Sequence, residues 1–323
     1  MRHALCKPGD VVNEFATSYH APVLVAPVLA FLLTDSAQVI VDATLGGGGH
    51  TAALLAKGGA ELRVIGLDTD VEALAATRAR LQNLASRCEF IHGNFRSLTP
   101  LLGSLGVTGV DGILADLGVS SRQIDRPERG FSYMEDGPLD MRMNPNLSGT
   151  AADLLATSTP EELKRIFRDY GEENWAGPIA RAIVRQRAQR PLQRTSDLRQ
   201  VIENIVKGPQ RVKSLARIFQ ALRIAVNEEL DALYEFLNSA LPLLRPGGRL
   251  VVTSYHSLED RIVKQFFKLH EKGCTCPPEF PICVCGKQSQ LRLLTGKPVT
   301  PDAQEISFNP RSRSARLRAA QKR

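Results

Sequence analysis

The chain has 323 residues, 43% hydrophobic and 23% charged, a composition that buries a sizeable core and excludes disordered, fibrous and collagen-like classes. Its formal net charge of +7 is uneven: residues 119–225 hold 18 Lys and Arg against 13 Asp and Glu, and residues 286–323 hold nine against two. Such a separation suits a protein that grips a polyanion with one part and a small molecule with another, although two solvated helical faces would produce it as well.

The apolar stretch at 23–33 is 11 residues long and contains Pro27, short of the roughly 20 residues that cross a bilayer. No membrane partner is expected. The opening MRHALCKPGD lacks the apolar core of a secretory signal, which makes the cytoplasm the expected location. Residues 39–43 (VIVDA) form a strand-like run leading into the glycines Gly46 to Gly49, and residues 51–57 have helical composition. A second strand is expected at 63–68 (RVIGLD), an alanine-rich helix at 71–84, a third strand at 89–92 and a fourth at 110–117. Strands alternating with helices imply a doubly wound, mostly parallel α/β sheet with right-handed crossovers.

After Gly118 the alternation stops for about a hundred residues, too long for a connection without structure of its own. An inserted, mainly helical subdomain is therefore expected at 119–225. It opens with a loop-like stretch rich in Gly, Pro and Arg, followed by helices at 159–170, 178–189, 195–205 and 214–226. Residues 1–118 and 226–323 form the main, discontinuous domain. In its second half a helix is expected at 228–244, a turn at Pro246-Gly247-Gly248, a strand at 249–255 and a helix at 258–270. A cysteine-rich loop, a short helix from Thr300 and a basic tail containing NPRSRSARLR complete the chain.

Ligands of open parallel sheets sit at the carboxyl ends of the strands, and the glycine run stands there. Glycines let a ligand approach the backbone, and the following helix start favours a carboxylate. Asp68, 19 residues after Gly49, is placed to accept hydrogen bonds from ribose hydroxyls; it could instead cap the next helix, a task that Asp70 can also perform. The spacing suits a dinucleotide equally. The glycines lack the G-x-G-x-x-G pattern that seats a pyrophosphate, which favours S-adenosyl-L-methionine. Phe95 could lie against an adenine or be a core aromatic.

Asp116 ends the fourth strand, where an acid could accept an N–H of an exocyclic amine and help it rehybridise as a methyl group arrives. Amino-methyltransferases of similar layout carry Asp/Asn/Ser-Pro-Pro-aromatic here; this chain has Asp116-Leu117-Gly118-Val119, so Asp116 could serve instead as a cofactor ligand. Gln123 can reach the same crevice or be an ordinary exposed residue. In SYHSLEDR at 254–261, Ser, His and Asp stand together, but the chain contains no G-x-S-x-G elbow, which argues against a hydrolase. His256 and Glu259 are placed on the substrate side. Cys274-x-Cys276 and Cys283-x-Cys285 flank a Pro-rich turn. Four thiolates could hold a structural zinc, but the spacers are tighter than the usual two to four residues. A loop of free thiols stays open, and no metal is expected for the reaction.

Taken in order, HAPVL at 20–24, DATLGGGGH at 42–50, DLGVSS at 116–121, ERGFSYMEDGPLDMRM at 128–143, SYHSLEDR at 254–261 and NPRSRSARLR at 309–318 resemble the bacterial 16S ribosomal RNA (cytosine-N4)-methyltransferase family. The resemblance implies a Rossmann-like methyltransferase fold with a helical insert. It also implies N4-methylation of a cytidine in the decoding centre of the small ribosomal subunit, near the P site. Cofactor contacts carry over onto Gly48, Gly49, His50, Asp68, Phe95, Asp116 and Gln123. Asp140, Arg142, His256, Glu259 and Arg313 are expected on the RNA side, and a homodimer is left open. Two other classes give different signatures: a nicotinamide oxidoreductase would bind a dinucleotide, and an inactive ribosome-assembly protein would bind RNA without transferring a methyl group.

Overall fold

The computed structural model describes residue 15 and residues 22–272, 276–277, 280, 282 and 284–323. The chain divides into two compact units, the first of residues 1–118 with 232–323, the second of residues 119–231.

In the first unit, α1 (Val25–Leu32) places Val25, Val28 and Leu32 on its buried face, and Pro27 costs nothing because it lies in the first helical turn. β1 (Val39–Asp42) follows, then α2 (Gly49–Lys57), β2 (Arg63–Asp68), α3 (Val71–Arg80), β3 (Cys88–His92), α4 (Leu98–Gly103) and β4 (Val110–Asp116). The helix expected at 71–84 stops at Arg80 and passes into a 3-10 turn, Gln82–Arg87. Then come α5 (Glu229–Leu243), whose first three residues count with the second unit, β5 (Leu244–Ser254), α6 (Ser257–Lys272), β6 (Leu291–Leu293), α7 (Ala303–Phe308) and β7 (Arg316–Lys322).

The strands form one seven-stranded sheet in the order β3-β2-β1-β4-β5-β7-β6. β1 to β5 are parallel, whereas β7 runs antiparallel to both neighbours. The Rossmann-like, mostly parallel framework is therefore present, and an antiparallel strand stands where the dinucleotide order 3-2-1-4-5-6 has none. The central strands are apolar on both faces: Ile40, Val41, Ile65, Leu67, Ile113, Leu114, Val251 and Val252 are all essentially inaccessible, as a sheet covered on two sides requires.

The fold gives two features another setting. The basic tail is folded into the sheet as β7: Leu317, Ala319 and Ala320 are buried, and Arg318 is 8% exposed and bound to Asp260. The turn expected at Pro246-Gly247-Gly248 lies inside β5 as an irregularity of its pairing with β4, with Gly247 at φ +81°. A Cβ on Gly248 would lie 2.8 Å from the Arg245 carbonyl oxygen, so only glycine fits the kink.

The second unit is helical, with helices Ser121–Ile124, Ala151–Thr157, Pro160–Asp169, Ala176–Gln189, Thr195–Ile205 and Gln210–Asn227. Thr150 and Asp153 form a capping box that starts Ala151–Thr157, a helix hidden from sequence reading by the polar loop before it. Its core includes Leu155, Phe167, Ile183, Leu198, Ile218 and Leu222. The chain returns to the first unit at Ala232 rather than at 226. Gln210–Asn227 runs on unbroken, and Asn227 at its end binds the backbone of Met141 and Met143, holding that end within the second unit.

Candidate active site

Parallel pairing puts the carboxyl ends of β2, β1 and β4 side by side, and all three strands end on aspartate. The register sets Asp42 opposite Gly66 and Leu114. Asp68 and Asp116 thus stand two residues further along, on either side of the loop that leaves β1. That loop is held by its neighbours. Gly46 N donates to Asp68 Oδ2 at 2.7 Å, the Thr77 hydroxyl donates to the Gly46 carbonyl at 2.8 Å, and Arg80 donates to the Gly47 carbonyl at 2.7 Å.

Asp70, not Asp68, caps α3, accepting from Glu72 N at 3.0 Å. Asp68 Oδ1 accepts from Asp70 N at 2.9 Å. Gly48 is the residue before α2, at φ +69°. A Cβ there would lie 2.4 Å from Thr77 Cγ2, and one on Gly49 would lie 2.8 Å from Pro22 Cγ. The packing of the chain itself demands both glycines. Gly46, at φ +50°, has open space where a Cβ would stand, the nearest atom being 3.9 Å away.

The three acids share one electrostatic problem. Asp42 is 1% exposed and accepts from the Thr51 hydroxyl at 2.7 Å; burial nevertheless pushes it up to about 6. Burial pushes Asp68 up to about 6 as well, against its backbone hydrogen bonds. Asp116 is pushed furthest, to about 8, by burial and by the charges of Asp42, Glu259 and Glu305, against the hydrogen bond from the Tyr255 hydroxyl. That hydroxyl donates to Asp116 Oδ1 at 2.9 Å, and burial beside Asp116 drives the Tyr255 phenol well above its ordinary range. His50 Nε2, buried in the first turn of α2, lies 3.7 Å from Asp116 Oδ2. Several carboxylates around one strand edge, raised by burial and mutual repulsion, form a site in which a cation is strongly favoured.

Of the expected site residues, the fold brings together Asp68, Asp116, Gly48, Gly49 and His50. Phe95 opens the 3-10 turn after β3 and packs edge-on against Phe236, ring centres 5.2 Å apart. Glu259 is 3% exposed and accepts from the backbone N–H of Tyr255 and His256 at 2.8 and 3.3 Å, so it holds the start of α6. His256 Nε2 lies 3.2 Å from Glu259 Oε1. Arg313 is exposed in the 3-10 turn Pro310–Ser314.

Gln123, in the second unit, is buried rather than exposed. It forms a capping box with Ser120, its Oε1 accepting from Ser120 N at 3.0 Å. Arg142, also in that unit, grips Asp140 with two side-chain nitrogens at 2.8 and 2.7 Å and donates to the Leu147 carbonyl. Asp140 and Arg142 therefore lock their own loop. Cys276 and Cys285 are half-buried, whereas Cys274 and Cys283, needed for the four-thiolate expectation, lie outside the described residues.

Sequence reading missed Asp42, Tyr255 and Glu305. The first was legible as the acid that ends VIVDA, and Tyr255 stands in SYHSLEDR. Glu305 carries no local signal: it reaches the site region from α7, where its Oε1 accepts from Leu24 N at 2.7 Å.

A Rossmann-like sheet with acids at the ends of adjacent strands and a glycine loop between them is the framework of a methyltransferase, and that is the class of this chain. It belongs to the MraW methylase family, whose model matches residues 17–323. Among its relatives is the ribosomal RNA small subunit methyltransferase H of Heliobacterium modesticaldum, 50% identical over 94% of this chain and 98% of that protein. Proteins of the same name from Geobacter sulfurreducens (50%, 95% and 99%) and Thermomicrobium roseum (48%, 94% and 93%) are similar to the same extent.

Proposed function

We propose that this chain uses S-adenosyl-L-methionine to methylate N4 of a cytidine in the 16S RNA of the small ribosomal subunit, in the decoding centre near the P site. The single observation that carries the cofactor reading is the convergence of Asp42, Asp68 and Asp116 on the glycine loop. The choice of RNA follows from relatives named as small-subunit ribosomal RNA methyltransferases and from the sequence blocks they share with this chain. Among the described residues no helix is long and apolar enough to cross a membrane.

The residues present fit the cofactor. S-adenosylmethionine carries an ammonium and a sulfonium, and raised, buried carboxylates gain most from positive charge. Asp68 offers carboxylate lone pairs beyond those taken by Gly46 and Asp70. Gly48, Gly49 and His50 would line the methionine end, Phe95 the adenine side, with Gln123 added by the resemblance alone. Bound there, the cofactor supplies an electrophilic methyl group. Asp116, ionised once positive charge stands beside it, would accept an N–H of the cytosine amine, freeing the nitrogen lone pair toward the methyl. Tyr255 holds the Asp116 carboxyl at Oδ1, and Oδ2, 3.7 Å from His50 Nε2, would be the oxygen that meets the amine. Within the second unit, Asp140 and Arg142 would keep the insert loop shaped for RNA; within the first, His256, Glu259 and Arg313 are the residues proposed to face it.

The deciding experiment offers methyl-labelled S-adenosylmethionine with naked 16S RNA, small subunits and whole ribosomes, then locates the methyl by nuclease mapping and mass spectrometry. Transfer to a single cytidine N4 is expected. Failure with every form sinks the enzymatic reading, and transfer to a ring carbon or ribose sinks the N4 assignment.

A further inference from the structure

We propose that a basic cavity in the first unit, at the β6 edge of the sheet, is a docking site for the phosphodiester backbone of the RNA substrate, away from the reacting base. The proposal rests on the RNA-methyltransferase reading above. The cavity measures about 290 Å³ and is lined by Lys264, Lys268, Lys297, Arg318, Phe267 and Gly296, among others. No carboxylate lines it. Asp260 offsets Arg318 from behind, but it also takes Arg316, at 3.3 Å, so the pair of arginines stays in excess of the acid.

The lysines are arranged for a partner from outside. Lys264 and Lys268 are exposed and one turn apart on α6, and like charges at i and i+4 disfavour the helix that carries them. Among the described residues, no acid lies within ion-pair distance of Lys264, Lys268 or Lys297. Gly296 has no heavy atom within 4 Å of where a Cβ would stand, so a phosphate oxygen can come against its backbone. Phe267, 2% exposed, closes the floor of the cavity from the core side.

The location favours a polymer over a free anion. β6 lies three strand spacings from β4, at least about 14 Å across the sheet, farther than one small anion bridges. The segment after β6 climbs toward the end of the sheet that carries Asp116. Val299 bridges Leu317, Leu317 pairs with Thr253, and Thr253 pairs with Asp116. A strand of RNA with one base at Asp116 would thus find the lysines along its backbone. Exposed lysines spread around a rim suit successive phosphates, whereas a small anion is held by convergent, buried donors.

The test compares the wild type with K264E/K268E, K297E and the conservative K264R/K268R, measuring affinity for naked 16S RNA by filter binding from about 0.05 to 0.3 M salt. K264E/K268E is expected to weaken RNA binding at least tenfold near 0.1 M salt and to flatten the log-log salt slope by about 0.7 to 0.9 for each phosphate that is no longer neutralised. K264R/K268R should keep wild-type affinity, and S-adenosylmethionine affinity and the thermal midpoint should stay unchanged in all variants. An unchanged RNA affinity and slope overturns the proposal. So does thermal protection by millimolar inorganic phosphate that the lysine substitutions abolish without effect on RNA, or a defect confined to assembled subunits, which would mark a protein contact. If the wild type methylates RNA but the variants bind it normally, only this inference falls. If the wild type neither binds RNA nor transfers a methyl group, the functional reading falls with it.

Discussion

The Tyr255 hydroxyl donates to Asp116 Oδ1 at 2.9 Å, tying the residue after β5 to the last residue of β4, its neighbour in the sheet. The phenol's hydrogen bond opposes the burial and the neighbouring charges that raise Asp116 to about 8. A group so placed turns the arrival of positive charge into loss of a proton.

Cofactor binding should therefore depend on pH. If S-adenosylmethionine binds the ionised form of Asp116, its dissociation constant should fall about tenfold per pH unit from 6.5 toward 8 and level off above. Calorimetry in buffers of different ionisation enthalpy should show a proton released at pH 7. Asp116→Asn should flatten the profile. Tyr255→Phe removes a bond to the ionised form and should move the inflection to higher pH. A flat wild-type profile would refute the linkage.

The same acids set the pH dependence of stability without cofactor. Asp42, Asp68 and Asp116 bind protons more tightly folded, at about 6, 6 and 8, than unfolded, near 3.9. Between those values the native state holds more protons, so stability falls as pH rises. Their contribution is whole below about 4 and lost by about 8. Thermal midpoints should drop between pH 5 and 8.5, and Asp116→Asn should reduce the slope. A midpoint that climbs over that range would contradict the assignment.

Gly48→Ala should destabilise by roughly 2–4 kcal/mol, combining a left-handed backbone with a clash in a packed site. The clashing atom is Thr77 Cγ2, whereas Thr77 Oγ1 donates to Gly46. Thr77→Ser deletes the first and keeps the second, so the double variant should regain part of the loss in urea titrations. Equal instability of single and double variants would place the cost entirely in the backbone.

Asp260→Asn removes the carboxylate that binds Arg318 at 2.6 and 3.2 Å inside the β5–β7 edge. With Arg318 only 8% exposed, the stranded guanidinium should cost about 3 kcal/mol. Arg318→Met in that background should recover most of it. Denaturant midpoints decide, and a single variant as stable as the wild type would show the pair to be dispensable.

The parallel half of the sheet was legible because each strand is a short apolar run ending at an acid or a glycine. VIVDA and RVIGLD could hardly be anything else once a helix followed each. β7 was not legible. ARLRAAQK reads as a charged tail until β5 supplies backbone partners and Asp260 receives Arg316 and Arg318. Four of the insert's helices were visible in the sequence, whereas Ser121–Ile124 and Ala151–Thr157 were not, despite their capping boxes; the tasks of Asp140, Arg142 and Gln123 were hidden too, since their hydrogen bonds within the unit depend on turns that spacing does not encode.

By itself the sequence determined the alternating framework, the glycine loop, the candidate acids Asp68 and Asp116, and the helical insert, because these follow from periodicity and residue type along short stretches of chain. Only the tertiary structure decided that Asp42, Tyr255, Glu259 and Glu305 bear on Asp116, and that Gly48 and Gly49 are required by Thr77 and Pro22. Burial and Coulomb repulsion act between residues far apart in the chain, and folding alone brings those charges within range of one another.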